Sequence, residues 1–172
     1  MARVVLGLGA NLGDREGALR AALSALAPPV RIERASSVFR SDPVGYREQP
    51  DFWNLVVTGE TALDPPALLA RVRAIEEALG RARTFPNAPR TIDIDVLLYD
   101  ALVLSTPELT LPHPRMLERA FVLRPLVELM PGERHPVTGR RFDEHLRDAE
   151  ARLERAEPLF PGERFLEGEG AS

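Results

Sequence analysis

The segment Pro89-Arg90-Thr91-Ile92-Asp93-Ile94-Asp95-Val96-Leu97-Leu98 has the pattern of a half-buried β-strand. Side chains alternate between the two faces of a strand, so Asp93 and Asp95 are expected to point to the same side. The opposite side is expected to enter a core through Ile92, Ile94 and Val96. Two neighbouring carboxylates repel each other unless a cation compensates their charge. Because Mg²⁺ prefers oxygen ligands and Arg90 is close in sequence, the pair predicts a magnesium site for a phosphorylated substrate, with a solvated edge strand as the alternative.

Composition limits the classes of protein to which the chain can belong. The sequence has 172 residues, of which 44% are hydrophobic and 28% charged, and these values fit one globular domain. A net charge of −4 disfavours nucleic acid as a partner. No segment has the pattern of a signal peptide or a membrane span, so a cytoplasmic location is expected.

The basic residues are unusual because all 22 of them are arginines. The absence of lysine excludes a P-loop and Schiff-base chemistry, and the absence of cysteine excludes thiolate chemistry. Any phosphate would therefore be bound by arginine, by backbone amides or by a metal ion.

The apolar patterns predict the element order β-α-β-β-α-β. A first helix is expected from about Asp14, and a second is expected after Asp64 as its N-cap, with Gly80 at its end. Strands are predicted at residues 3–9, 31–39, 52–60 and 91–99. This order is typical of the ferredoxin-like α+β sandwich, an antiparallel sheet with helices packed on one face.

The segments that follow are predicted to extend this core with a short strand and helices. Residues 115–130 are expected to be helical in pieces and broken at Pro125, and the apolar spacing from Phe142 to Leu153 predicts an amphipathic helix. These patterns predict a single domain at residues 1–158 and a loose C-terminal tail at residues 159–172.

Several other motifs allow two interpretations. The glycines of residues 7–13 lack the G-x-G-x-x-G spacing of a dinucleotide site and indicate a tight strand-to-helix turn. Phe52 and Asn54 share a strand face, either as core residues or as a ring and an amide that recognise a heterocycle. His113, between two prolines, is either a structural loop residue or a phosphate contact. The segment after Gly80 is a basic loop with three arginines, namely Arg81, Arg83 and Arg90. These arginines either interact with the dipole of the preceding helix or bind a triphosphate.

Seven short segments, in this order, carry a resemblance to a known family. They lie at residues 8–12, 36–45, 49–54, 80–83, 89–95, 111–115 and 119–121. The most specific is the Pro-Arg-x-x-Asp-x-Asp element of residues 89–95. Together they cover roughly residues 5 to 130 and resemble the 6-hydroxymethyl-7,8-dihydropterin pyrophosphokinase family of folate biosynthesis.

This resemblance implies an ATP-dependent diphosphotransferase that moves the β,γ-pyrophosphoryl group of ATP to the pterin hydroxymethyl group and leaves AMP. Two Mg²⁺ ions would be bound by Asp93 and Asp95. The residues implied in catalysis are Arg81, Arg90 and Asp95. Those implied in ATP binding are Glu76, Arg83, Thr110, His113 and Arg119. Those implied in pterin binding are Ser41, Pro43, Gly45, Phe52, Asn54 and Phe121.

Two questions stay open from the sequence. The proton of the attacking hydroxyl can pass to Asp95 or to a hydroxyl on the metal. The alternative function is a ferredoxin-like nucleotide- or RNA-binding module without catalysis, although the sequence has no RNA-binding motif. ATP and a pterin are the expected partners and a neighbouring folate-pathway enzyme is a further candidate, whereas nucleic acid and membranes are not expected.

Overall fold

The computed structural model describes residues 1–11, 13–41, 51–80, 92–151 and 157–162. The elements within these ranges are β1 (Ala2–Ala10), α1 (Arg15–Leu26), β2 (Val30–Ala35), β3 (Val38–Ser41), β4 (Phe52–Thr61), α2 (Pro65–Ala78), β5 (Asp93–Tyr99), β6 (Leu104–Ser105), β7 (Thr110–Leu111), α3 (Ala120–Leu129), α4 (Phe142–Ala151) and β8 (Glu157–Phe160). The strand predicted at residues 31–39 is therefore divided into β2 and β3.

An antiparallel sheet with the order β5-β1-β4-β3-β8 forms the centre of the fold, and β2 also pairs with β4. The α+β class and the antiparallel sheet predicted from the sequence are thus confirmed. In β1, Gly7 lies opposite Asp95 of β5, and Gly9 lies between Asp93 of β5 and Asn54 of β4. This register brings the two carboxylates and the amide close together across two glycines.

Helices cover both faces of the sheet: the two helices of the β-α-β-β-α-β core lie on one face, as predicted, and the helices of the C-terminal extension lie on the other. α1 and α2 cover the face that contains Leu6, Leu8 and Ile94. α3 and α4 cover the opposite face around Val5 and Val56. The physical reason is visible in β1, whose side chains are apolar at successive positions, as expected for a strand buried on both faces.

Aspartates cap the N-termini of α1 and α2, and the cap at Asp64 confirms the prediction. Asp14 accepts a hydrogen bond from Gly17 N at 3.0 Å, and Asp64 accepts one from Ala67 N at 2.9 Å. Gly80 follows α2 with a φ of +86°, a conformation that glycine adopts without steric strain. None of the helices among the described residues has the length and apolar character needed to cross a membrane.

The C-terminal part differs from the prediction in two respects. α3 continues through Pro125, and the break lies at Arg119, which is extended between a short 3₁₀ helix at Met116–Glu118 and α3. Burial of Pro125 together with its neighbours compensates for the hydrogen bond that proline cannot donate. β8 pairs with β3 and crosses the boundary predicted at residue 158, while the tail from residue 163 lies outside the described residues.

Candidate active site

Asp93 and Asp95 lie on one face of β5, as the alternation predicts. Both side chains are half-buried, whereas Ile94 between them is buried in the core beneath α1 and α2. On β1 the same face has only glycine at positions 7 and 9, so no side chain of β1 separates the carboxylates from β4. This face of β1 is therefore an uncovered surface, called the floor below, and the carboxylates of Asp93 and Asp95 lie along its β5 side.

Asp95 is the point at which two predicted nucleotide ligands meet. Its Oδ1 lies 3.8 Å from His113 Nε2, and its Oδ2 lies 3.9 Å from Arg119 Nη1. Arg119 reaches this position because the extended backbone between the 3₁₀ helix and α3 places it at the start of α3. Residues separated by up to 24 positions in sequence therefore surround one carboxylate.

His113 is a neutral hydrogen-bond donor in this arrangement. Burial, followed by the positive charge of Arg119, lowers the pKa of His113 from 6.5 to about 4. Its Nδ1 accepts a hydrogen bond from Arg115 N at 3.2 Å, which assigns the proton of the neutral ring to Nε2, the atom facing Asp95. The backbone N–H of His113 donates to Leu97 O at 2.9 Å and fixes the loop against β5.

Arg119 connects the carboxylates to an aromatic ring. Its guanidinium carbon lies 5.5 Å from the ring centroid of Phe121, within the range of a cation–π contact. Burial lowers the pKa of Arg119, and the negative charge of Asp95 acts in the opposite direction. Arginine remains charged at any physiological pH, so Arg119 places a fixed positive charge beside the carboxylates.

The predicted pterin ligands of β3 and β4 form a second group on the same floor. Asn54 is buried, and its Nδ2 donates to Ser41 Oγ at 2.7 Å. A Cβ atom added at Gly9 would lie 3.1 Å from Asn54 Oδ1 and 3.7 Å from Phe52 Cδ1. The side chain of Asn54 is therefore oriented by Ser41 of β3. Because Gly9 has no side chain, the space next to the Asn54 amide stays open.

Glu76 and Thr110 occupy positions beside β5. Glu76 projects from α2, is 4% exposed, and accepts a hydrogen bond from Ile94 N at 3.1 Å through Oε2. Thr110 is half-buried in the β6–β7 hairpin, which packs next to β5. A role for either residue in ATP binding stays a prediction.

Five predicted site residues lie outside the described part of the chain. They are Pro43, Gly45, Arg81, Arg83 and Arg90. The turn predicted between the first strand and the first helix lies at Gly13, which has a φ of +68°, and Gly7 and Gly9 belong to β1, in agreement with the strand predicted at residues 3–9. Gly7 and Gly9 are two residues apart in an otherwise apolar strand, so both lie on the same face. This spacing is the sequence signal that part of that face has no side chains.

Comparisons with known proteins identify the family of this chain. A family model described as 7,8-dihydro-6-hydroxymethylpterin-pyrophosphokinase (HPPK) matches residues 5–131. A Bacillus subtilis protein named 2-amino-4-hydroxy-6-hydroxymethyldihydropteridine pyrophosphokinase is 44% identical over 126 residues, covering 72% of this chain and 75% of that protein. A protein of the same name from Aquifex aeolicus is 40% identical over 137 residues, covering 80% of this chain and 86% of that protein.

Solved structures show the same fold in a longer protein. The crystal structure of wild-type Plasmodium falciparum HPPK-DHPS matches with a TM-score of 0.72 at 16% identity, over 88% of this chain and 45% of that one. This chain therefore spans less than half of that protein. The family match runs from β1 to the residue after Met130 and includes every site residue described above. On this evidence the chain belongs to the 6-hydroxymethyl-7,8-dihydropterin pyrophosphokinase family.

Proposed function

We propose that the chain transfers pyrophosphate from ATP to 6-hydroxymethyl-7,8-dihydropterin on the floor formed by β5, β1 and β4. This is the reaction of its family, a step of folate biosynthesis. The observation that carries the proposal is the convergence on Asp95, where a neutral histidine and an arginine both lie within 3.9 Å of one carboxylate. A binding module without catalysis has no need for this combination.

The described donor set fits Mg²⁺. Asp93 and Asp95 offer half-buried carboxylate oxygens on one face, and no group of three metal-binding side chains occurs within the described ranges. Mg²⁺ in phosphotransfer sites is commonly held by one or two carboxylates together with the phosphates of the substrate. The bound ion would neutralise charge on the phosphates. Binding of two ions, as the resemblance implies, is part of the proposal.

The other residues orient and stabilise the reacting groups. Arg119 supplies a fixed positive charge for phosphate oxygens, and His113 Nε2–H supplies a neutral donor. Asp95 is the proposed acceptor of the proton from the attacking hydroxyl, which would bond to the β-phosphorus as AMP leaves. Arg81 and Arg90 are proposed to stabilise the transferring group.

The pterin is proposed to lie between the ring of Phe52 and that of Phe121, with Asn54 at its edge. Support comes from the half-buried position of both rings and from the hydrogen bond that Ser41 accepts from Asn54. The backbone of Pro43 and Gly45 completes the proposed pocket.

We also assign the fold to the ferredoxin-like class, because β5-β1-β4-β3 has the strand order expected for that class.

A partnership with another folate-pathway enzyme is likewise proposed. It is supported by a Lactococcus lactis relative named bifunctional protein FolKE, 39% identical over 132 residues, of which this chain covers 38%. The structural neighbours called HPPK-DHPS also combine two named parts in one chain. The cytoplasmic location expected from the sequence stays a prediction.

The reaction is tested by incubating the chain with Mg²⁺, ATP and 6-hydroxymethyl-7,8-dihydropterin and separating the nucleotides. AMP is the expected product. Asp95→Asn should slow its formation at least about 10²-fold, the usual contribution of a proton-transfer group. Asp64→Asn is the matched control, because asparagine also caps a helix N-terminus and Asp64 lies outside the site. Formation of ADP, or near-normal turnover by Asp95→Asn, would contradict the proposal.

A further inference from the structure

We infer that Glu76 is a positioning residue that sets the carboxylates of Asp93 and Asp95 by holding the backbone between them. The inference rests on the proposed role of those two carboxylates. It differs from the expectation that Glu76 contacts the nucleotide, because it assigns the action of Glu76 to β5.

The backbone of β5 explains why such a support is needed. Within the described sheet β5 pairs only with β1, so its outer edge has N–H and C=O groups without a strand partner. Ile94 N belongs to this edge and donates to Glu76 Oε2 at 3.1 Å. On the same edge, Leu97 O accepts from His113 N at 2.9 Å. The edge of β5 is thus fixed on both sides of Asp95.

The position of Glu76 in α2 makes this contact specific. Its side chain is 4% exposed, and the neighbouring helix residues Val72 and Ile75 belong to the apolar core. A carboxylate is costly to bury unless donors compensate its charge. Because Glu76 is buried, its hydrogen bond with Ile94 N links α2 to the residue between Asp93 and Asp95.

Rotation of the Ile94 peptide would change the directions of both carboxylates, because Asp93 and Asp95 are its immediate chain neighbours. A metal site requires its ligands within a few tenths of an ångström of the working geometry. Residues that orient ligands typically change metal affinity or activity about 10- to 100-fold when they are removed. Loss of the Glu76 bond should therefore appear first in the dependence on Mg²⁺.

The test compares Glu76→Ala, Glu76→Asp and Glu76→Gln with the matched control Glu77→Ala, the adjacent exposed glutamate of α2. Glu76→Gln keeps an oxygen acceptor at the same distance and loses the charge. Glu76→Asp keeps the charge and is one methylene too short for Ile94. The measurements are hydrogen exchange of the Ile94 amide by NMR and the Mg²⁺ concentration for half-maximal AMP formation at saturating ATP and pterin.

We expect faster Ile94 exchange and an approximately tenfold higher half-saturating Mg²⁺ concentration for Glu76→Ala and Glu76→Asp. Glu77→Ala should match the unmodified chain, and Glu76→Gln, which keeps an oxygen acceptor for Ile94 N–H, should show the smallest change of the three Glu76 variants. The opposite ranking, with Glu76→Asp normal and Glu76→Gln impaired in the KM for ATP, would overturn the inference and assign Glu76 a charge effect on the nucleotide. If Glu76→Ala does not fold, the aspartate and glutamine variants decide. Altered Ile94 exchange without any change in Mg²⁺ dependence would instead contradict the proposed metal role of the carboxylates.

Discussion

At the scale of single residues, Gly9 is the residue on which the proposed pterin pocket depends most directly. It lies in β1 between Asp93 and Asn54, and any side chain there would point onto the floor of the site. Gly7, two residues earlier, lies on the same face opposite Asp95. Both glycines are therefore strand residues on one face, but different side chains surround them, so substitution of Gly7 is a control for substitution of Gly9.

Gly9→Ala is expected to raise the KM for the pterin about tenfold, the equivalent of roughly 1.4 kcal/mol. The new Cβ would lie 3.1 Å from Asn54 Oδ1, closer than an ordinary contact, and must displace the amide that is proposed to recognise the pterin. Gly7→Ala is the control, because its Cβ would meet Leu97 side-chain atoms at 3.4 Å or more. Steady-state kinetics with varied pterin and saturating ATP measure the effect. Equal KM values in the two variants would show that Asn54 does not depend on the space at Gly9.

The sequence predicts local relations among residues better than distant ones. Alternation along a strand correctly placed Asp93 with Asp95, and it placed Phe52 with Asn54 opposite Trp53, whose ring contacts Arg15 on the other face. The contact between Asp95 and Arg119 could not be predicted in this way. It depends on the path of the chain between β5 and α3, and nothing in the spacing fixes that path.

At the scale of elements, the hairpin at residues 134–141 shows how a buried histidine organises a connection. His135 N donates to Arg140 O at 2.9 Å, and His135 Nδ1 accepts from Val137 N at 3.1 Å and Thr138 N at 3.2 Å. The His135 ring also packs edge-on against Phe142 at the start of α4, with 6.1 Å between ring centroids. The connection between α3 and α4 thus depends on a neutral His135.

Protonation of His135 should loosen this hairpin, because the proton must bind at Nδ1, which already accepts two backbone N–H groups. Burial, with a smaller contribution from His145, lowers the pKa of His135 below its ordinary value of 6.5. The unfolded chain therefore binds the proton at a higher pH than the folded chain does. The contribution of His135 to stability is complete above pH 6.5 and decreases as the pH falls below it.

His135→Asn should reduce the loss of stability between about pH 7 and pH 5, because Asn Oδ1 can take the position of Nδ1 without titrating. Urea unfolding of both proteins at the two pH values measures the difference. Other groups titrate nearby, since His145 faces His135 and is itself surrounded by Arg140, Glu144 and Asp148. Only the difference between the two proteins is therefore assigned to His135. Identical losses in both would refute this assignment.

Elements with strong local signals were predictable, and those set by packing were not. The start of α1 expected near Asp14 and the start of α2 expected from the cap at Asp64 are both confirmed. The break predicted at Pro125 is absent because α3 packs against the sheet through buried residues on both sides of the proline. Tertiary burial of a strongly apolar helix outweighs the local effect of proline, which is about 3 kcal/mol in an isolated helix.

At the scale of the whole molecule, two helical layers pack against opposite faces of the sheet. The layer of α1 and α2 positions Glu76 against β5, and the layer of α3 and α4 positions Arg119 and Phe121 above the floor. The proposed site lies where these parts meet. A ligand that binds here contacts both the sheet and the second layer, so its binding free energy should add to the stability of the entire fold.

Mg²⁺ together with α,β-methylene-ATP, whose bridge cannot be cleaved in this reaction, should therefore raise the melting temperature. At a ligand concentration of about 100 times Kd the gain is about 2.7 kcal/mol, or roughly 5 to 10 °C for a domain of this size. The shift should disappear when EDTA removes Mg²⁺, and also in an Asp93→Asn, Asp95→Asn double variant, because these two carboxylates of β5 are the proposed ligands of the ion. Thermal unfolding followed by circular dichroism measures all three conditions. An equal shift without Mg²⁺ would show that the nucleotide binds through the arginines alone and that the two carboxylates have another purpose.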